Sequence, residues 1–563
     1  MHYTFAALDK VHNELGTGHI IRVSRVIDSL FESQRKDQNI LVTLFSNNLD
    51  FVNKYDGIYV ENFVSANKAM SEYINQYDVD VAFFDCLDYF SDIYQACVDR
   101  NIISICVDIS EFSSTLPDLI INPVIQNKNS FLTGPHYSMH YESKVKKYIS
   151  YNDRGNEIFV CFGGVDFQNY LSKLIPLIQN SLTDYKFNIV VSQPSDLENY
   201  KNISNNIQLY YKPDNFYDLL ERSSLALISG GIILQEASYL GVPSIIFTQY
   251  DHQFEAAKKR KSEGSSLEVF RPDTSLKNIG SLIKKVMNQP PLLNQASLSG
   301  RSSDDGFGIK RITNILQIIE HLEWDSNFFN KNIYNITSKC FSNRIKHQLN
   351  QLTEDRLIDL VYFLCPAGDK RSIKNAIENG FIQVDQRLTY LVTAKNYKNL
   401  KSNFTPRINF SIKKSMPEDA SELGALAKKI KWTTRYTNDE NFDAKSIEKF
   451  YEEWVIKSIV GKLDDAVYHI RQNEEICGFI SIKKMGINMG SIGLVGVSPD
   501  YQGKGIGVAL SDFAVNYLIN SMDCAAVQVV TQETNIGACK TYEKIGFIPS
   551  DHSIWLHKWI IKE

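Results

Sequence analysis

The chain has 563 residues, of which 43% are hydrophobic and 22% charged, and its formal net charge is −5. It is too long for a single core and suggests about three or four domains of roughly 100–200 residues. The near balance of charge gives no reason to expect a nucleic acid as partner. No apolar run reaches the roughly 18 residues that a membrane span needs. Met1 leads almost directly into a strand-like segment, so no targeting sequence is expected. The nine cysteines are scattered without a CxxC pair, which fits reduced thiols in the cytoplasm rather than a disulfide frame or a zinc site, and no metal is expected. The oligomeric state is not legible.

In chain order, residues 1–150 alternate apolar runs with helical spacing, and strands are predicted at 3–8, 39–46, 79–85, 102–108 and 118–122. Their continuous apolar character predicts strands buried on both faces, hence a parallel sheet. A second α/β series follows, with strands predicted at 157–162, 187–192, 207–211, 225–229, 243–247 and 267–270. Two Rossmann-like halves in succession predict a ligand cleft between them. Residues 289–306 are rich in Pro, Ser, Gly and Asn and read as a loop, and 307–320 as a closing helix. Residues 322–405 hold helices and a few strands without a strong chemical motif. Residues 408–563 predict strands at 409–412, 466–471, 476–484, 491–497, 526–531 and 553–559, with helices at 417–430, 446–461 and 535–545. The expected division is therefore 1–150, 151–320, 321–405 and 406–563.

Two glycine clusters stand directly before helical patterns. Gly16-Thr17-Gly18-His19 precedes Ile20, Val23, Val26, Ile27 and Leu30; Gln502-Gly503-Lys504-Gly505-Ile506-Gly507 precedes Val508, Leu510, Phe513, Ala514 and Tyr517. A helix start offers free backbone N–H groups and a positive dipole end, both suited to phosphate. His19 adds a general base to the first cluster. Two further glycine turns, Phe162-Gly163-Gly164 and Ser229-Gly230-Gly231, end strands, and the reading sets them facing each other across the cleft. Glycine lets a diphosphate approach the backbone. Glu236, early on the helix after the second turn, is placed to accept from ribose hydroxyls. Asp9, Asp85 and Asp166 lie at strand ends, where cleft and capping roles compete, and His12 and His252 read as ordinary loop residues.

These segments, with Arg22 and Glu236-Ala237…Gly241-Val242-Pro243, resemble the GT-B glycosyltransferase superfamily over roughly residues 1–315. Within it they most resemble the UDP-sugar hydrolases of pseudaminic acid biosynthesis. The resemblance implies inverting release of UDP from a UDP-linked amino sugar without a metal. His19 would be the base, Gly230, Gly231, Glu236 and Gln253 would hold the uridine diphosphate, and Gly16, Gly18, Arg22, Gly163 and Gly164 would also be substrate-binding. The segments Asp108–Phe112 and Tyr137–Tyr141 depart from the family, which bears on sugar specificity.

The second cluster matches the Q/R-x-x-G-x-G/A loop of GNAT acyltransferases, and Asn535, Ala538, Tyr542 and Gly546-Phe547 recur at that family's later spacing. The resemblance implies that Val497, Gln502, Gly503, Lys504, Gly505, Ile506, Gly507 and Asn535 hold acetyl-CoA and that Tyr542 reprotonates the thiolate. The words Leu322–Phe329, Thr434-Arg435-Tyr436 and Trp555–Trp559 resemble dTDP-4-amino-4,6-dideoxygalactose N-acetyltransferases, which makes 321–405 a degenerate half-domain and places Arg435 and Tyr436 at the acceptor sugar. A solvated helix start is the competing reading for that pair. The whole reads as α/β, two Rossmann-like domains in GT-B arrangement followed by a GNAT fold. The function it implies is N-acetylation of a nucleotide-linked amino sugar and hydrolytic release of UDP. A fused glycosyltransferase and a non-catalytic nucleotide-sugar-binding domain are the alternatives.

Overall fold

The computed structural model describes the chain except residues 9–17, 34–39, 86–90, 108–116, 124–131, 141–147, 202, 273, 355–357, 402–409, 473 and 561–563, and the side chains of 63, 252 and 401. Two compact units form, Met1–Thr313 and Asn314–Glu563.

The first unit holds two parallel sheets. Strands β1 (His2–Ala7), β2 (Leu41–Ser46), β3 (Ile58–Tyr59), β4 (Val81–Asp85), β5 (Ile103–Val107), β6 (Leu119–Asn122) and β7 (Leu132–Thr133) lie in the order 3-2-1-4-5-6-7. Strands β8 (Glu157–Cys161), β9 (Lys186–Val191), β10 (Ile207–Tyr211), β11 (Leu225–Ile228), β12 (Ser244–Phe247) and β13 (Ser266–Phe270) lie in the order 10-9-8-11-12-13. Each order reverses once, between β1 and β4 and between β8 and β11. Ligands of open α/β sheets bind beyond the strand ends at such a reversal. The apolar runs fold as predicted because both faces of these strands are covered: β1, β4 and β5 are buried along their whole length.

Residues 289–306 are not the predicted loop. Pro290–Ser303 is a helix with proline at its first turn, where a missing N–H costs nothing. Its small residues allow close packing: a Cβ on Gly300 would stand 2.8 Å from the Ser238 carbonyl oxygen. The next helix, Gly308–Leu316, begins where Gly308 passes Ser138 so closely that any side chain would collide with backbone. Thr313 on this helix then donates to Ser29 on helix Gly18–Glu32 at 2.9 Å, tying the chain end of the second half to the first.

The second unit is one ten-stranded sheet. Its strands are β14 (Ile319–His321), β15 (Ile333–Ile336), β16 (Leu360–Pro366), β17 (Ile382–Thr393), β18 (Ile412–Lys414), β19 (Ala466–Gln472), β20 (Glu475–Met485), β21 (Met489–Val497), β22 (Ala526–Gln532) and β23 (Ile548–Trp559). They run 14-15-16-23-17-22-21-20-19-18, so the motif-poor stretch 322–405 supplies β15–β17 to the same sheet as the later strands. Of the strand predicted at 409–412, residue 409 lies outside the described residues, and the strand formed is Ile412–Lys414. Two cores result. One includes Leu510, Ala514 and Leu518 of helix Ile506–Asn520. The other gathers Leu423, Phe450, Tyr451 and Tyr436 with all five tryptophans at its edge.

Candidate functional sites

In the first unit the described helix starts at Gly18, and Gly16 lies outside the described residues. His19 is buried, and its Nδ1 stands 2.6 Å from Oδ1 of Asp85, the last residue of β4. The sheet reversal thus brings together a helix start after β1 and a carboxylate ending β4. Arg22 donates through Nε to Asp85 Oδ2 at 2.8 Å and through Nη2 to Oδ1 at 2.6 Å. Burial opposes ionisation of Asp85, but Arg22 and His19 outweigh it and hold the carboxyl below its ordinary range. An ionised carboxylate only accepts, so it fixes the Nδ1 proton and leaves His19 Nε2 to take one. Asp85 is therefore no cap, and Arg22 is spent on orienting it.

The second half of the cleft is built on β8 and β11. The two glycine turns do not face each other: β8 and β11 are neighbours, Ser229 N donates to Cys161 O at 3.2 Å, and a Cβ on Gly163 would stand 3.5 Å from Ser229 Oγ. They form one shelf. Gly163 has φ +89°, which favours glycine. Facing this shelf is the first helix, since a Cβ on Gly18 would lie 3.7 Å from Ile232 Cδ1. Ile232 opens helix Ile232–Tyr239, and Gly231 before it carries open space. Two helix N-termini therefore meet there, with their positive ends and free N–H groups.

Glu236 sits on that helix, buried, with Oε1 accepting from Arg25 Nη2 at 2.7 Å and from the Tyr217 hydroxyl at 2.7 Å. Arg25 also donates to the Met139 carbonyl at 2.8 Å. A ribose contact from Glu236 would use its other oxygen. Gln253 accepts from Gln249 N at 2.9 Å, and its Cβ lies 3.0 Å from where a Cβ on Gly230 would be, so glycine there admits it. Gln249 in turn bonds Gln168 and Asp166. Asp166 caps helix Tyr170–Ser181, accepting from the N–H groups of Tyr170 and Leu171. Asp9 and His12 lie outside the described residues, as does Asp108–Phe112. Arg25, Tyr217 and Gln249 were not singled out by the sequence reading. Arg25 lies two helical turns into an ordinary amphipathic pattern, and no spacing signals its partners.

In the second unit, β21 registers with β22 only from Met489↔Ala526 to Ile492↔Val529, while both strands run on. The two strands part there. Gly493–Val497 keeps β20 on one side, and the loop Gln502–Gly507 follows. Gly503 has φ +76° and Gly505 φ +86°, and a Cβ at either would meet nothing within 4 Å. The backbone of Gly505 starts helix Ile506–Asn520. Open space over helix-start N–H groups suits a pyrophosphate. Lys504 lies over the Tyr501 ring and donates to Asp500 O; Gln502 donates to the Val497 carbonyl. Asn535 caps helix Ile536–Lys544 by accepting from Ala538 N at 3.2 Å. Tyr542, on that helix, is buried beside Cys539 and Tyr390, and burial pushes its hydroxyl up, so it is a phenol at neutral pH.

Arg435 and Tyr436 are no solvated helix start. Tyr436 is 6% exposed. The Arg435 guanidinium lies 4.1 Å from the Tyr362 ring centre and 4.0 Å from that of Trp555, and it pairs with Asp325 at 3.5 Å. Tyr436 donates to Asp325 at 3.2 Å, and burial carries its hydroxyl up to about 12.

Among the described residues no cluster of His, Cys, Asp and Glu could hold a metal ion, and no helix is long and apolar enough to cross a membrane. The eight described cysteines are free and buried.

The architecture is α/β, with a GT-B-like pair of Rossmann-like halves and a GNAT fold after it. The sequence profile of the Acetyltransferase (GNAT) family matches residues 430–547. The chain is 24% identical over 274 residues to an uncharacterized protein of Methanocaldococcus jannaschii, covering 43% of this chain and 55% of that one. It thus spans about half the length of that relative. It is 22% identical over 331 residues to the spore coat polysaccharide biosynthesis protein SpsG of Bacillus subtilis, covering 54% of this chain and 95% of that one. It is 24% identical over 125 residues to a streptothricin acetyltransferase of Escherichia coli, covering 22% and 71%. Among solved structures, MurG of Acinetobacter baumannii is similar with a TM-score of 0.44 and 13% identity, over 56% of this chain and 99% of that one. The chain therefore joins a pair of Rossmann-like halves to a domain that matches the GNAT acetyltransferase profile and so implies acetyl-CoA.

Proposed function

We propose that the chain is a bifunctional nucleotide-sugar enzyme. Its second unit acetylates the amine of a nucleotide-linked 4-amino-4,6-dideoxy sugar, and its first releases UDP from the acetylated sugar, as in the formation of a pseudaminic-type acid. The observation that carries the first activity is the His19–Asp85 pair at a helix start that faces a second helix start. His19 Nε2 takes the proton of a water attacking the anomeric carbon from the face opposite the diphosphate, giving inversion. The diphosphate leaves toward the N–H groups at Gly230 and Gly231, which need no metal to receive it. Gly18, Gly163 and Gly164 complete the walls, and Gln253 and the second oxygen of Glu236 serve the nucleoside.

In the second unit the parted strands accept the pantetheine arm and the loop Gln502–Gly507 the pyrophosphate. The amine attacks the thioester carbon, and the Tyr542 phenol protonates the departing thiolate. Tyr542→Phe should lower kcat about tenfold while coenzyme A still binds; an unchanged kcat removes that role.

The same pair would serve a sugar hydroxyl as well as water, which is glycosyl transfer, and the similarity to a polysaccharide biosynthesis protein suits that acceptor. Turnover of the acetylated UDP-sugar in ¹⁸O-water decides between them. Label in the released sugar establishes hydrolysis. Turnover only with an added acceptor establishes transfer.

A further inference from the structure

The second unit contains a buried polar cluster that neither the coenzyme A loop nor Tyr542 uses. Three of its atoms are buried and unpartnered: Tyr362 Oη on β16, Asp385 Oδ2 on β17 and His557 Nε2 on β23. Unpaired buried polar atoms are rare and costly, each by roughly 1–3 kcal/mol. Three on neighbouring strands form a place prepared for something polar. The strands adjoin: Leu360–Pro366 pairs with β23, and Asp385 stands opposite Trp555. The Tyr362 and His557 rings are 4.6 Å apart, and Arg435 lies over Tyr362 and Trp555. His557 gives its Nδ1 proton to Asp439 at 2.6 Å, so its free Nε2 can only accept.

The position is next to the reaction. Glu533, just past β22, donates its N–H to the Gln386 carbonyl, and pairing of β17 with β22 begins at Arg387↔Gln532. Asp385 is two residues before that point, at the end of the strand that has parted from β21. The side chains Tyr362, Tyr436 and Tyr451 share one core with Leu494 of β21, within the unpaired stretch.

We propose that this cluster is the acceptor site and that Asp385 is the general base that receives a proton from the acceptor's ammonium group. The inference rests on the reading of the second unit as an amine acetyltransferase. Asp385 takes one proton from R–NH₃⁺. The resulting amine forms the C–N bond to the thioester carbonyl, its nitrogen gives a second proton to solvent as the C–S bond breaks, and the thiolate is protonated by the Tyr542 phenol, which regains its proton from solvent, as Asp385 returns its own. Tyr362 Oη and His557 Nε2 then meet hydroxyls of the acceptor. Burial lifts the Asp385 carboxyl to about 6, against the Gln386 N–H and the Arg435 charge, so it is ionised at neutral pH and basic enough to act. Arg435 from the 434–436 turn and Tyr451 from helix Ala444–Ile459 interact with it electrostatically; Asp325, Tyr436 and Tyr362 belong to the cluster through Arg435, and His557 through Tyr362, while Arg387 is two residues along its own strand.

The test compares Asp385→Asn with the full-length wild type by coenzyme A release from acetyl-CoA, first with a UDP-linked 4-amino-4,6-dideoxy sugar. Should that fail to react, a panel of free amino sugars, polyamines and aminoglycosides follows. The expected result is a loss of about 100-fold or more in kcat near pH 7 with coenzyme A affinity kept. The wild-type acid limb should lie near pH 6, and in the variant it should move up to the amine's own pKa, so the deficit shrinks at high pH. Tyr362→Phe should raise KM for the acceptor and leave that limb in place. Equal turnover of Asp385→Asn on a reactive amine overturns the proposal. If only a non-nucleotide amine reacts and the variant loses it, the nucleotide-sugar reading falls and Asp385 stands. If no amine reacts with the wild type, both fall.

Discussion

Under the proposed function both units hold their phosphates on helix starts, but the two starts are prepared differently. In the second unit the preparation is in the backbone: two glycines with positive φ and open space where their side chains would be. In the first unit the helix start carries a buried charge network, His19, Asp85 and Arg22, with a second ion pair, Arg25–Glu236, a turn further on. A loop that only holds a cofactor needs shape. A helix start that must also move a proton needs an imidazole held in one tautomer, and that requires a carboxylate and something to keep the carboxylate ionised.

The largest expected effect breaks this comparison on its charged side. His19→Asn should lower nucleotide release by about 10²–10⁴-fold and leave acetyl transfer unchanged. Asp85→Asn should cost nearly as much, because it frees the tautomer and takes the carboxylate charge away from the buried Arg22. Both are read by UDP release and coenzyme A release on the same sample. A variant of His19 that releases UDP at the wild-type rate would falsify its role as base.

Next in size is Glu236→Ala. It takes the carboxylate away from the buried Arg25, and removing one partner of a buried ion pair costs about 3–5 kcal/mol. Urea unfolding of the first unit, followed by circular dichroism, should show this loss. If the stability holds while KM for the nucleotide sugar rises, the carboxylate serves the ribose and not the fold.

The pattern of what could be read from the sequence follows the same divide. The apolar strands, the helix starts and the glycines are encoded within a few residues of one another, and they lie where their spacing put them. The partners are encoded far away. Asp85 is 66 positions from His19 and Glu236 is 211 from Arg25. Only the sheet reversal unites the first pair, and only the meeting of the two halves unites the second. The side-by-side placement of the two glycine turns needed the strand order 9-8-11, which no local pattern supplies. The helix Pro290–Ser303 was hidden by its composition: its serines and glycine suit close packing on helix Ile232–Tyr239, and the same residues out of context suggest a loop. A solvated helix start could compete as a reading of Arg435 because two of the aromatic rings that enclose it come from β16 and β23.

Gly505→Glu tests the backbone side. A side chain at φ +86° is strained, and a carboxylate would stand in the space meant for phosphate. Coenzyme A affinity should fall at least about 100-fold by calorimetry, with hydrolysis of an already acetylated UDP-sugar unaffected. Normal binding would reduce the loop to a structural turn.

The smallest effect is in stability against pH, where two buried groups of the second unit oppose each other. Burial raises Asp385 to about 6, so the folded state holds its proton more tightly than the unfolded chain. Its contribution therefore grows as pH falls through 6 and is complete below the ordinary carboxylate range. Burial lowers His557 to about 4, overcoming the pull of Asp439. The unfolded chain takes that proton first, so stability is lost as pH falls from about 6.5 to about 4. Each is worth about 2–3 kcal/mol, and the wild type should be nearly flat across this window. Asp385→Asn removes one arm. The variant should be about 2 kcal/mol more stable than the wild type near pH 8, and the advantage should vanish by about pH 4. All five tryptophans lie in this unit, at positions 324, 432, 454, 555 and 559, so their fluorescence follows its unfolding alone. A pH-independent difference between the two proteins would mean that Asp385 does not titrate in this range, and the base assigned to the acceptor site would fall with it.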